Sequence, residues 1–294
     1  MSHFADRLTD AVRARGTPLC VGLDPRWEAL PEAVRRRHAD TPAGRAAAYE
    51  EFCARVLDLV APLVAVVKPQ SAFFEACGPD GLRALAHVMH IARRRGLLTI
   101  LDAKRNDIAS TAEAYAEAAF TVYEADALTV NPYLGRDSLE PFLRVGRPRG
   151  RGLFVLVRTS NRGAAQFQDL DCGGQPLYVH IADAVEAWAG EHLGRSGFGD
   201  VGAVVGATGP AELVALRQRL SHALLLVPGY GAQGATAADT AGAFRPGGLG
   251  AVVNSSRGVL FPYQPSDPHW EHAVEQAARQ AAHELAHAAK LART

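Results

Sequence analysis

Eight short apolar runs, each separated from the next by a longer stretch of helical period, constrain the fold of this chain more than any other feature. They are Leu19–Asp24, Val64–Pro69, Leu98–Lys104, Ala127–Pro132, Gly152–Thr159, Gly202–Ala207, Ala223–Pro228 and Ala251–Ser255. Runs of Val, Leu and Ile without polar alternation belong to strands covered on both faces, and helix-length connections return the chain to start each strand parallel to the last. Gly44–Val60, Gly81–Arg95, Ile108–Tyr123, Leu177–Leu193 and Ala211–Leu220 have the helical period, and helices at Phe4–Arg15 and His269–Leu291 flank the set. Eight such units predict an α/β fold of one domain over 1–294, a (β/α)8 TIM barrel with an extra N-terminal helix and a long C-terminal helix. Closure removes the exposed edges of an open sheet, which makes a doubly wound sheet the second choice. Gly/Pro-rich Arg144–Arg151 and Arg245–Gly250 read as loops within this domain.

Charge excludes some functions. Lys+Arg and Asp+Glu are both 31, so no global basic field holds a nucleic acid backbone. There is no apolar run of membrane-spanning length and no basic-then-apolar leader, so a cytoplasmic location and no membrane partner are expected. Cys20, Cys53, Cys77 and Cys172 are widely spaced, without a C-x-x-C pair, and read as buried free thiols.

The basic residues are almost all arginine: the only lysines are Lys68, Lys104 and Lys290. A chain that uses arginine for generic positive charge keeps lysine where a compact, proton-donating ammonium is needed. Two of the three stand at strand ends, where the chemistry of a barrel is placed. Asp24, Lys68, Asn131, Thr159, Ser160, Gln233 and Arg257 stand at or just beyond such ends, and the densest cluster is Asp102-Ala103-Lys104-Arg105-Asn106-Asp107. Strand alternation predicts that Asp102 and Lys104 face the same way and touch. Asp107 falls where the next helix starts, and reads either as an N-cap or as part of the charged set.

Alternating lysines and carboxylates keep every member ionised. Such a site donates a proton to carbon and holds a fixed negative charge beside a substrate anion. Two carboxylates about 4 Å apart repel by roughly 4 kcal/mol at an effective dielectric of 20, so losing one as CO2 relieves repulsion. The loops Gly229-Tyr230-Gly231-Ala232-Gln233-Gly234 and Asn254-Ser255-Ser256-Arg257-Gly258 follow the seventh and eighth strands, where this fold cradles phosphate. The first also spells G-x-G-x-x-G. However, nothing acidic lies between Asp239 and Asp267 to meet a ribose, so no dinucleotide cofactor is expected. His283-Glu284-Leu285-Ala286-His287 spells H-E-x-x-H near the end of an Ala-rich helix, with nothing downstream to supply a third ligand. It reads as a solvated helix face, as do His87 and His90, and no metal is expected.

Asp24, Lys68, the run Asp102-x-Lys104-x-x-Asp107-Ile108-x-x-Thr111, and Gln233 with Arg257 together resemble the orotidine 5'-phosphate decarboxylases across the whole barrel. Val66-Val67-Lys68-Pro69-Gln70, Leu101-Asp102-Ala103-Lys104-Arg105 and Arg158-Thr159-Ser160-Asn161 resemble the longer bacterial, type 2 branch. The resemblance implies conversion of orotidine 5'-phosphate to UMP and CO2 in pyrimidine biosynthesis, without cofactor, by a homodimer with composite sites. It implies Lys104 as proton donor to C6, Asp102 facing the substrate carboxylate, and Lys68 holding the charge network and, with Asp24, the ribose. It further implies Asp107 and Thr111 reaching the partner's site, Ser160 reading the pyrimidine edge, and Gln233 and Arg257 holding the phosphate. Asn106 stands where that pattern has glycine, and the segment 161–174 matches it only loosely. Magnesium-dependent sugar-phosphate enzymes of the same barrel need an acid where this chain has Lys68. The other rival is a nucleotide-binding protein without catalysis, against which the intact Asp102-Lys104-Asp107 set argues.

Overall fold

The computed structural model describes residues 2–231 and 234–291. Its centre is a closed parallel barrel of β1 (Leu19–Leu23), β2 (Val66–Pro69), β3 (Leu98–Arg105), β4 (Ala127–Val130), β5 (Gly152–Arg158), β6 (Val201–Val205), β7 (Leu225–Val227) and β8 (Ala251–Ser255). The order around the barrel is the order in the chain. Pairing of Leu19, Cys20 and Val21 with Val253, Asn254 and Ser255 closes β8 on β1. Every predicted run contains a strand, and ends differ by a few residues.

Outside the barrel run α1 (Phe4–Arg15), α2 (Pro42–Val60), α3 (Gly78–Arg94), α4 (Ala109–Glu117), α5 (Glu140–Gly146), α6 (Leu177–Gly190), α7 (Pro210–Arg219) and α8 (Trp270–Ala289), with shorter turns between. Thr41 caps α2 through its hydroxyl, with Pro42 in the first turn, where its missing N–H is no loss. One expected loop is corrected: Arg144–Gly146 is the last turn of α5, and Arg147–Arg149 continues as a 3-10 turn. Pro141 opens this helix and Gly150 in left-handed conformation ends the 3-10 turn, so Pro and Gly punctuate helical structure here instead of marking its absence. Between β7 and β8 the described residues hold only the 3-10 segment Ala238–Ala243. The long α8 packs against this segment and against α2 and β1, filling the gap in the outer ring.

The other terminal helix closes the floor. Phe4, Ala5, Leu8 and Val12 on one face of α1 are buried against Cys20, Ile100, Phe154 and Leu224 of the barrel interior. The Phe4 ring meets Phe154 edge-on at 6.0 Å between centroids. A side chain on Gly152 would place Cβ 2.2 Å from the Phe4 ring, so β5 must start with glycine for this plug to seat. With its floor sealed, the barrel opens only toward the carboxyl ends of its strands. No helix among the described residues is long and apolar enough to cross a membrane. Cys20, Cys53 and Cys77 are buried, whereas Cys172 is exposed in the loop after β5, contrary to the expectation of four buried thiols.

Candidate active site

A cavity of about 570 Å³ fills the open end of the barrel, within the usual range for small-molecule sites. Every strand or its following loop lines it. Leu156, Val204 and Leu226 make an apolar floor, Asp24, Lys68, Asp102 and Lys104 an ionic wall, and Ser160, Asn254, Ser256 and Arg257 a polar rim.

At the centre of the wall Asp102 binds two ammonium groups. Lys68 Nζ donates to Oδ2 and Lys104 Nζ donates to Oδ1, each at 2.6 Å, and the Thr129 hydroxyl donates to Oδ1 at 3.0 Å. Lys68 and Asp102 are 5% and 6% exposed, while the Lys104 side chain is 46% exposed to the cavity mouth. Burial alone would raise the Asp102 carboxyl, but the charges of Lys68 and Lys104 overcome it and hold the group well below the ordinary carboxylate range. Burial likewise works against the Lys68 ammonium; Asp102 and then Asp24 reverse this and hold it above the usual lysine range. Behind Lys68, burial pushes the Cys20 thiol up to about 12, so it stays protonated and unreactive.

The contact between Asp102 and Lys104 does not arise from strand alternation. The β3–β4 register shifts between Leu101 and Arg105, and Lys104 adopts φ +47°, the left-handed region. For a lysine this conformation costs about 1–2 kcal/mol. It is held by Thr129, whose Oγ1 accepts the N–H groups of both Ala103 (3.1 Å) and Lys104 (3.0 Å). One threonine hydroxyl thus fixes both the backbone kink that aims Lys104 and the carboxylate that Lys104 meets. Sequence reasoning missed Thr129; its signal was a lone hydroxyl inside the apolar strand Ala-Leu-Thr-Val.

Among the described residues, Asp24 Oδ1 is buried in the cavity wall without a hydrogen-bond partner, as is Asn254 Oδ1. Buried acceptors in this state are unmet demands for a donor, and ligand hydroxyls would meet them. In the sequence, Asn254 stood out only as part of the segment after the eighth strand, with no role of its own. A Cβ at Gly22 would lie 2.9 Å from Asn254 Oδ1 and 2.0 Å from Ser256 Oγ, so β1 needs glycine for β8 to present both groups. Ser160 lines the cavity as expected, beside Gln168. Gln168 clasps the end of β5, accepting from Thr159 N–H at 2.9 Å and donating to the Thr159 hydroxyl at 2.8 Å. Arg257 also lines the cavity, at the start of a short turn after β8. Gln233 lies outside the described residues. Asn131 is absent from the lining and accepts from Tyr133 N–H in a turn.

Asp107 and Thr111 do not line the cavity of their own chain. Asp107 is not the helix N-cap, which is Ile108; its Oδ1 accepts the adjacent Ile108 N–H, at 2.8 Å. The positive φ of Ala109 (+47°) turns the chain one residue later than an Asp107 cap requires. Thr111 is exposed on α4.

Gly229, Gly231 and Gly234 all have positive φ, and among the described residues no α-helix opens directly after them, so the glycine motif lacks the dinucleotide-binding context. In the H-E-x-x-H segment His283 and His287 are exposed, and Glu284 accepts a hydrogen bond from Tyr230. At the opposite foot of the barrel, ligand atoms of His3, His192 and Asp200 lie within 4.8 Å of one another. They already have partners: Ala5 N–H donates to His3 Nδ1, and Arg147 donates to both oxygens of Asp200.

A family model described as the orotidine 5'-phosphate decarboxylase / HUMPS family matches residues 17–266. An orotidine 5'-phosphate decarboxylase of Rhodopirellula baltica is 47% identical over 292 residues, covering 94% of this chain and 97% of that protein. The solved structure of Leishmania donovani OMP decarboxylase is 36% identical, with a TM-score of 0.79, over 99% of this chain and 100% of that one. A structure described as a putative orotidine 5'-phosphate decarboxylase from Streptomyces avermitilis is 38% identical, with a TM-score of 0.81, over 99% and 97%.

Proposed function

Because this chain belongs to the orotidine 5'-phosphate decarboxylase / HUMPS family, we propose that it converts orotidine 5'-phosphate to UMP and CO2 by the residues converging at its barrel mouth. The observation that carries this reading is the chain Lys68–Asp102–Lys104, one carboxylate between two ammoniums at 2.6 Å each, over an apolar floor. Asp102 cannot leave the substrate carboxylate's side, because Lys68 and Thr129 hold it there. With the pyrimidine over Leu156, Val204 and Leu226, the substrate carboxylate faces Asp102. The C6–carboxylate bond breaks, CO2 departs, and the electron pair left on C6 takes a proton from Lys104 Nζ. Lys104 is then neutral and recovers its proton from water at the exposed mouth. The ionic wall is in place before substrate arrives, so little reorganisation accompanies the charge shift.

Asp24 and Lys68 hold the ribose hydroxyls, Ser160 reads the pyrimidine edge, and Arg257 with Gln233 binds the phosphate. Asp107 and Thr111, which do not line their own cavity, complete the site of a second copy in a homodimer. Exposed Ile108, Tyr115, Tyr133 and Leu134 on α4 and the loop after β4 supply apolar surface on that same flank.

The test is the absorbance change of orotidine 5'-phosphate on adding the purified, chelator-treated protein, with UMP identified as product. Turnover supports the reading. UMP binding without turnover favours a nucleotide-binding protein, and neither result favours magnesium-dependent chemistry on sugar phosphates.

A further inference from the structure

In the loop after β7, Gly229, Gly231 and Gly234 have φ of +108°, +76° and +102°. Glycines at these angles allow the turn but lend it no stiffness. Among the described residues of the loop, Gly231 N–H donates to Ala235 O and Gly234 N–H to Gly231 O, both at 2.8 Å. Its described residues are tied to the rest of the molecule by buried Ala235 and by the Tyr230 side chain at its base. Tyr230 lines the active-site cavity on one side and a neighbouring cleft against α8 on the other. Its hydroxyl donates to Glu284 Oε2 at 2.7 Å, and Gln280 Nε2 donates to Glu284 Oε1 at 2.9 Å. Glu284 is the carboxylate of the H-E-x-x-H segment. It lies half-buried, one turn along α8 from Gln280, and the Tyr230 bond holds it ionised below its ordinary range.

We propose that Glu284 is a positioning residue for the phosphate site: by accepting the Tyr230 hydroxyl hydrogen bond across 54 positions of sequence, it fixes Tyr230 and the base of the loop after β7, beside which the substrate phosphate binds. The role rests on the phosphate reading of this site given above. A loop base so tied is held in place before the ligand arrives. Without the tie, ordering it falls on the ligand's binding free energy, and only ligands that use the loop are affected.

The experiment compares binding of UMP with binding of uridine, by calorimetry, in the full-length protein carrying Tyr230→Phe, Glu284→Ala, Glu284→Gln, or Tyr230→Phe with Glu284→Ala. Tyr230→Phe and Glu284→Ala are each expected to weaken UMP by about five- to tenfold and to leave uridine within about twofold. The Gln variant, which still accepts the bond, is expected to stay near the wild type. The double variant is expected to be no worse than the weaker single one, because the two groups act through one bond. For orotidine 5'-phosphate, KM rises and kcat holds. Unchanged UMP affinity in folded Tyr230→Phe, or an equal loss for uridine, overturns the latch and leaves the function standing. A wild-type protein that binds neither UMP nor inorganic phosphate overturns the phosphate reading, and the latch with it.

Discussion

Asp102 sits between two ammoniums and beneath a hydroxyl, so its charge is fixed and that of Lys68 is fixed with it. The carboxyl is lowered from about 3.8 in the folded state, so its stabilisation is present above that pH and is lost as pH falls through the lower folded value. The Lys68 ammonium is raised from about 10.5, so its stabilisation is complete below that pH and is lost as pH rises through the higher folded value. Asp102→Asn leaves Lys68 with Asp24 alone and is expected to cost about 3 kcal/mol at pH 7. In urea denaturation the gap from the wild type should narrow below about pH 4; a gap constant to pH 2 contradicts the assignment. Lys104 is different in kind, being half-exposed and needed only when C6 becomes basic. Lys104→Ala is expected to lower kcat by at least a factor of about 1,000 while UMP affinity changes by less than about fivefold. Substantial residual turnover refutes the proton-donor role. These ionic residues were legible because a charge inside an apolar strand has few structural explanations. Thr129 was not, because a hydroxyl in a strand is ordinary until its partners are known.

The elements divide the labour between a rigid floor and an adjustable mouth. Phe4 on α1 is buried under Phe154 and Gly152, at the end of the barrel away from the cavity. Phe4→Ala is expected to lower stability by about 3–5 kcal/mol, read as a loss in the denaturation midpoint. The activity of the molecules that remain folded should be unchanged, and a matching fall in kcat would show that the floor communicates with the mouth. The strands and most helices follow from periodicity, since burial on two faces leaves a continuous apolar run and burial on one face leaves a helical stripe. Two local features escaped that logic. The bulge in β3 breaks the two-residue period at Lys104, and only the partner strand's Thr129 explains why it is stable there. Helix α5 was hidden behind Pro and Gly, which punctuate helices as readily as they exclude them.

At the scale of the whole molecule, a single chain presents a cavity with an ionic core but leaves half-buried Asp107 and exposed Thr111 outside its lining. Exposed Ile108, at 56%, and Tyr133, at 86%, lie on the same flank, a pattern that a partner surface would bury. If two copies pair through this flank, each site takes Lys104 from one subunit and Asp107 from the other. Asp107→Ala and Lys104→Ala homodimers should then both be impaired, the second severely. In a heterodimer of the two variants, one site inherits both lesions and the other inherits neither. Random mixing of equal amounts makes half of the dimers heterodimers with one intact site of two, so recovery to about a quarter of wild-type activity is expected. Differently tagged subunits, co-purified to isolate the heterodimer, raise the expected value to about half. A verified heterodimer without recovery places Asp107 in its own subunit's site or outside the chemistry altogether. A wild-type protein that stays monomeric at micromolar concentration and turns over substrate requires the same conclusion without any mutation.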